Sequence, residues 1–170
     1  MSRHRFLALS GMLAASIACS GPPTDGLIVV SAPSADNFAI VTETLDYSCG
    51  ALDCHGSSTR NFRLYGHDGL RLAPSDVPCG APTTAAEVQV DYRSAVALEP
   101  EVMAEVVASH GAEPDRLTLV RKARGSEAHK GGAVFPEGSD GDRCLVSWVQ
   151  SAVDIASCDN SLPAVQCVGN

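Results

Sequence analysis

Apolar positions recur at three- and four-residue intervals over most of this chain, the period of amphipathic helices. Phe38, Val41 and Leu45 share one face of a first helix, with Ser34 or Asp36 as its N-cap. A Thr84/Glu87 capping box opens a second helix that turns Val88, Tyr92, Ala95 and Val96 inward. Pro100 in the first turn and Gly111 as a stop bracket a third, Val102 to His110. A last helix starts at Ser139 or Asp140 and places Leu145, Trp148, Val149 and Ala152 on one face. Between the first two helices the pattern changes. Phe62-Arg63-Leu64-Tyr65 alternates, Gly66 to Gly69 turns and Leu70-Arg71-Leu72 alternates again, which predicts a small β-hairpin. Leu117, Leu119 and Val120 are apolar outliers, and residues 124–138 carry little regular pattern. The expectation is an all-α domain with a hairpin insertion, loops able to wrap a flat ligand, and a tail from Cys158 to Asn170 held by disulfides rather than by packing.

The amino-terminal end follows a different rule. Arg3, His4 and Arg5 precede a mostly apolar run, Phe6 to Ala18, and then Cys19, so residues 1–18 read as an export signal. The run is too short to span a bilayer. Ser16-Ile17-Ala18-Cys19 resembles a bacterial lipoprotein cleavage site, with Ser16 where an aliphatic residue is preferred, and this makes Cys19 the candidate lipid anchor. An ordinary signal peptidase would cut the same bond. Residues 19–33 are rich in Gly, Pro and Ser and read as a tether, leaving 34–170 as one domain. Loss of Arg3 and Arg5 with the signal moves the net charge from −8 to about −10. Such acidity argues against nucleic acid and against charge-driven binding to anionic lipid. It suits a basic redox partner on the periplasmic side of a bacterial membrane, and equally suits simple solubility.

The densest chemistry lies in Cys49-Gly50-Ala51-Leu52-Asp53-Cys54-His55-Gly56. Two cysteines followed at once by histidine is the order that attaches haem c covalently: two thioethers to the porphyrin and an imidazole to the iron. Four residues separate the cysteines here, where two is usual. A Cys49–Cys54 disulfide and a zinc site using Cys49, Cys54, His55 and one remote ligand are the alternatives. Of the seven cysteines, haem takes Cys49 and Cys54 and lipid takes Cys19. Cys79, Cys144, Cys158 and Cys167 remain for two disulfides, Cys144–Cys158 with Cys79–Cys167 being one of three pairings. Without haem, the same cysteines would make a disulfide-stapled lipoprotein acting as a binding or structural module. No serine nucleophile motif, paired carboxylates or phosphate loop points to an enzyme.

With Cys54-His55-Gly56, Arg121-Lys122, His129-Lys130-Gly131-Gly132 and Trp148 in order, the chain resembles the planctomycete-type cytochrome c domains over Asn37 to Ala152. The wider cysteine spacing and the hairpin are departures from that pattern. The resemblance implies a cytochrome c-like fold, one haem and electron transfer to an unidentified redox partner. It also points to the His129 loop for the second iron ligand, ahead of Met103, which sits on a helix beside Val106 and Val107 where a core role is natural. Arg60 and Arg63 are candidates for the haem propionates. His67 and His110 read as surface residues.

Overall fold

The computed structural model describes residues 31–164. The export signal, Cys19, most of the tether and the tail beyond 164, including Cys167, lie outside the described residues.

Six α-helices and one short 3-10 turn make up the described architecture. Helix α1 spans Phe38–Cys49, α2 Ala85–Val96, α3 Pro100–Ala108, α4 Thr118–Arg124, α5 Asp140–Val149 and α6 Ile155–Ser161, with the 3-10 turn at Pro114–Arg116 before α4. Asn37, in the left-handed region at φ 59°, opens α1, one residue after Asp36 and three after Ser34, the expected caps. The Thr84/Glu87 capping box forms as read: the Thr84 hydroxyl accepts from Glu87 N–H, and the Glu87 carboxylate accepts from Thr84 N–H. Pro100 begins α3, and Gly111 follows it at φ 70°.

Helix α1 is the centre of the packing and lies against α2, α5 and α6. Phe38 and Trp148 meet with ring centroids 4.8 Å apart, and Tyr92 closes an aromatic trio at 5.3 Å from Phe38 and 6.2 Å from Trp148. The polar ends of both larger rings are satisfied by the incoming chain: Tyr92 O–H donates to Pro33 O (2.6 Å) and Trp148 Nε1–H to Ser34 O (3.1 Å). The tether is thereby clamped where the domain begins.

Two expectations are corrected. The hairpin does not form: no strand occurs among the described residues, and only a single Tyr65–Leu70 bridge remains. Phe62 and Leu64 do face inward, but in the second run the order inverts, with Arg71 buried and Leu72 exposed. Arg71 turns inward because buried Glu87 accepts from its Nε (2.9 Å) and Nη2 (3.0 Å), while Ala81 O and Pro82 O take its remaining donors. The tail is the second correction. Cys158 sits on α6, which packs on α5 and α1, so packing as well as the Cys144–Cys158 disulfide holds this region. Cys79 is also disulfide-bonded; Cys167, the partner expected for it, is not among the described residues.

The loop of 65–70 rests on two buried carboxylates. Asp91 Oδ1 accepts from Tyr65 N–H and Asp46 Oδ2 from Asp68 N–H, both at 2.9 Å. A Cβ at Gly66 would stand 2.3 Å from Asp46 Oδ2, so only glycine admits this approach. The second oxygen of each carboxylate is buried without a partner. Burial pushes Asp46 up to about 6 and Asp91 up to about 8. Glu87, in the same region, is the opposite case. Burial would raise it, but hydrogen bonds from Arg71, Leu72 and Thr84 outweigh that and hold it at about 2.

Candidate functional site

Helix α1 ends on Cys49, and the chain then knots tightly. Gly50 N–H donates to Asp46 O (2.7 Å) and His55 N–H to Cys49 O (3.0 Å), while Cys54 N–H and Gly56 N–H converge on Ala51 O at 2.8 and 3.1 Å. Four intervening residues therefore fold back on themselves and return Cys54 and His55 to the end of α1. Gly56 is sterically required, because an added Cβ would lie 1.9 Å from Gly50 O. The Cys-His-Gly order thus has a local cause. Its third residue must let two stretches of backbone touch.

His55 Nδ1 lies 2.9 Å from Phe62 O, and the two rings pack with centroids 4.9 Å apart. A carbonyl only accepts, so Nδ1 carries the proton and Nε2 keeps its lone pair. Metal-binding histidines are oriented in this way, by a hydrogen bond from the other ring nitrogen.

His129 comes from the loop after α4. Its Nδ1 is buried without a hydrogen-bond partner. Burial, with help from the Lys122 charge, lowers its proton affinity and favours a neutral ring. Gly131 brings the loop backbone onto that ring, where an added Cβ would stand 2.8 Å from Nε2. The two imidazoles line the same cleft. It consists of two adjoining cavities, about 220 and 260 Å³, that share Cys49, His55, Arg60, Lys122, His129 and Val134. Leu45, Phe62, Leu98, Leu119 and Ala123 add apolar walls, and no carboxylate lines either cavity.

Cys49 and Cys54 are free thiols, while Cys144 and Cys158 are bridged. Burial, then the proximity of Cys54 and Asp46, pushes the Cys49 thiol up to about 12. Arg60 borders the cleft and donates from Nε to Cys54 O (3.2 Å). Arg63 does not border it. Its guanidinium donates to Ser58 O and lines a neighbouring depression. Lys122, which entered the sequence reading only as part of a motif, takes a place on the cleft wall and pairs with Glu127 at 2.9 Å. Met103 is buried in the core and lines neither cavity. His67 is half-buried, with Nδ1 3.2 Å from Ala81 O, and His110 is exposed. Across the mouth, Lys130 Nζ donates to Asp53 Oδ2 (2.6 Å), tying the His129 loop to the Cys49–Cys54 loop.

Among the described residues, no group of three or more His, Cys, Asp or Glu side chains is arranged around a metal ion. A porphyrin asks less of the protein, since it supplies four of the iron's ligands and needs one or two more. The apolar walls, two free thiols at one edge, two imidazoles and two flanking cations fit such a group. No helix among the described residues is long and apolar enough to cross a membrane. No family model, curated protein or solved structure matches the chain significantly.

Proposed function

We propose that this chain is an exported, lipid-anchored single-haem c-type cytochrome of the planctomycete type, carrying electrons to a redox partner. Cys49 and Cys54 would hold the porphyrin as thioethers, and His55 Nε2 would ligate the iron. His129 would supply the second axial ligand. Arg60 and Lys122 would face the propionates, with Cys19 carrying the lipid outside the described domain. Bound there, the iron supplies one-electron oxidation and reduction. The chain's own part is to hold that group in an apolar cleft and to fix its ligands.

The hydrogen bond from His55 Nδ1 to Phe62 O carries this reading. It commits the ring to one tautomer and leaves Nε2 free on the residue that follows the second cysteine. The open Cys49–Cys54 pair supports the same reading, because the alternative stapled module would use those sulfurs as a bridge.

The test is the intact mass and reduced pyridine-haemochrome spectrum of chain exported from a host with active c-type maturation. The expected result is a mass gain of one haem, absent in Cys49→Ala/Cys54→Ala. A mass showing disulfides alone, without a haem spectrum, would make the protein a stapled module instead.

A further inference from the structure

Carboxylates outnumber Lys and Arg by 20 to 12 in this chain, so a cation left without an acidic partner is unusual. Among the described residues, Arg71, Arg116, Arg121, Lys122, Arg124, Lys130 and Arg143 each lie in ion-pair reach of a carboxylate. Arg60, Arg63 and Arg93 do not. Arg60 borders the cleft, and the other two line a second depression of about 510 Å³ that meets the cleft at Asn61 and Leu98.

The lining of that depression is one-sided in its chemistry. Arg63 and Arg93 supply guanidinium forks, and Asn61, Tyr65 and Ser94 supply an amide and two hydroxyls, all able to donate. Ser94 Oγ already accepts from Arg63 N–H (3.0 Å), which leaves its own proton to donate outward. No carboxylate lines the depression, and Val90, Ala97 and Leu98 complete it with apolar surface. Arg93 lies in the last turn of α2, where a cation is favourable without any ligand. That does not account for Arg63, which reaches the same depression from the loop after the attachment motif. The end of α2 contributes about half a negative charge, against two full positive ones.

We infer that this depression binds a small organic polyanion, carboxylates or phosphates carried on an apolar body. Guanidinium forks match such groups bidentately, two of them line the same depression, and its apolar wall takes the body of the ligand. The inference does not rest on the haem reading, since neither arginine borders the cleft.

The probe is benzene-1,3,5-tricarboxylate, titrated into the full exported chain at low salt and followed by calorimetry and backbone amide shifts. Saturable binding is expected, with the largest shifts at Arg63, Ser94 and Leu98. Arg63→Gln/Arg93→Gln should weaken it at least tenfold, and Arg116→Gln, at an ion-paired arginine elsewhere, should not. Inorganic phosphate should bind at least tenfold more weakly for want of an apolar body. Absent saturation, equal affinity for phosphate, or undiminished binding by the double variant would overturn the inference. Tighter binding of a glutamate-rich peptide would replace it with a protein-docking surface. Loss of the haemochrome band in the double variant would assign the arginines to the cleft instead.

Discussion

At the scale of single residues, the two histidines of the cleft are prepared differently. His55 is fixed by a hydrogen bond, whereas half-buried His129 has its Nδ1 atom buried and unsatisfied, a position that costs free energy unless something occupies it. If His129 is the second axial ligand, the reduced protein is low-spin, and His129→Ala opens a position for carbon monoxide. An unchanged spectrum in that variant, with carbon monoxide present, would remove His129 from the iron. Gly131→Ala should act in the same direction but more weakly, because the added methyl meets the imidazole rather than deleting it. Order alone singles out the cysteines and His55, and the fold brings all three to one cleft. Order does not single out Lys122, because its place on the cleft wall depends on where α4 lies against the Cys49–Cys54 loop, and local pattern carries no such information.

At the scale of elements, helices with strong caps were readable. The Thr84/Glu87 box, Pro100, Gly111 and Ser139 each mark a boundary by a local hydrogen bond or a backbone restriction. The hairpin was misread for a physical reason. Alternation reports which side chains turn inward, and Arg71 turned inward to meet Glu87, an event decided sixteen residues away. Helix α6 escaped notice because its seven residues carry too few apolar positions to show a period. It stands by its disulfide and by its packing, including the Thr44–Ser161 hydroxyl contact at 3.0 Å. Replacing Cys144 and Cys158 by serine should therefore cost about 3 kcal/mol, as expected for a closed loop of about fifteen residues, measurable by urea denaturation. No change in the denaturation midpoint would mean that packing alone holds α6.

At the scale of the whole molecule, pH should act through the buried acids. Asp46 and Asp91 keep protons in the folded chain that the unfolded chain releases near the ordinary carboxylate value of 3.8. The folded state binds more protons over this interval, so stability falls as pH rises from about 4 through about 8. Glu87 works in the opposite sense, but its contribution is complete above its unfolded value of 4.5 and lost only on acidification toward 2. His129, whose proton affinity is lowered in the fold, adds an opposite slope that fades above its unfolded value of 6.5, so the upper part of the window from pH 6.5 to 8 reports mainly on Asp91. Thermal midpoints should drop across it, and Asp91→Asn should flatten the drop, since an amide keeps an acceptor for Tyr65 N–H without the charge. A profile that Asp91→Asn leaves unaltered would show that Asp91 ionises freely in the fold.

The depth of Cys49 also sets a rate. A disulfide forms by attack of a thiolate, and a thiol raised to about 12 is ionised in only about one molecule in 10⁵ at pH 7. If the chain is exported as proposed, Cys144–Cys158 must close there while Cys49 and Cys54 stay unbridged. Folding would give that discrimination a kinetic basis: once α1 is packed, attack by its last sulfur on a disulfide is slow, which favours an open Cys49–Cys54 pair.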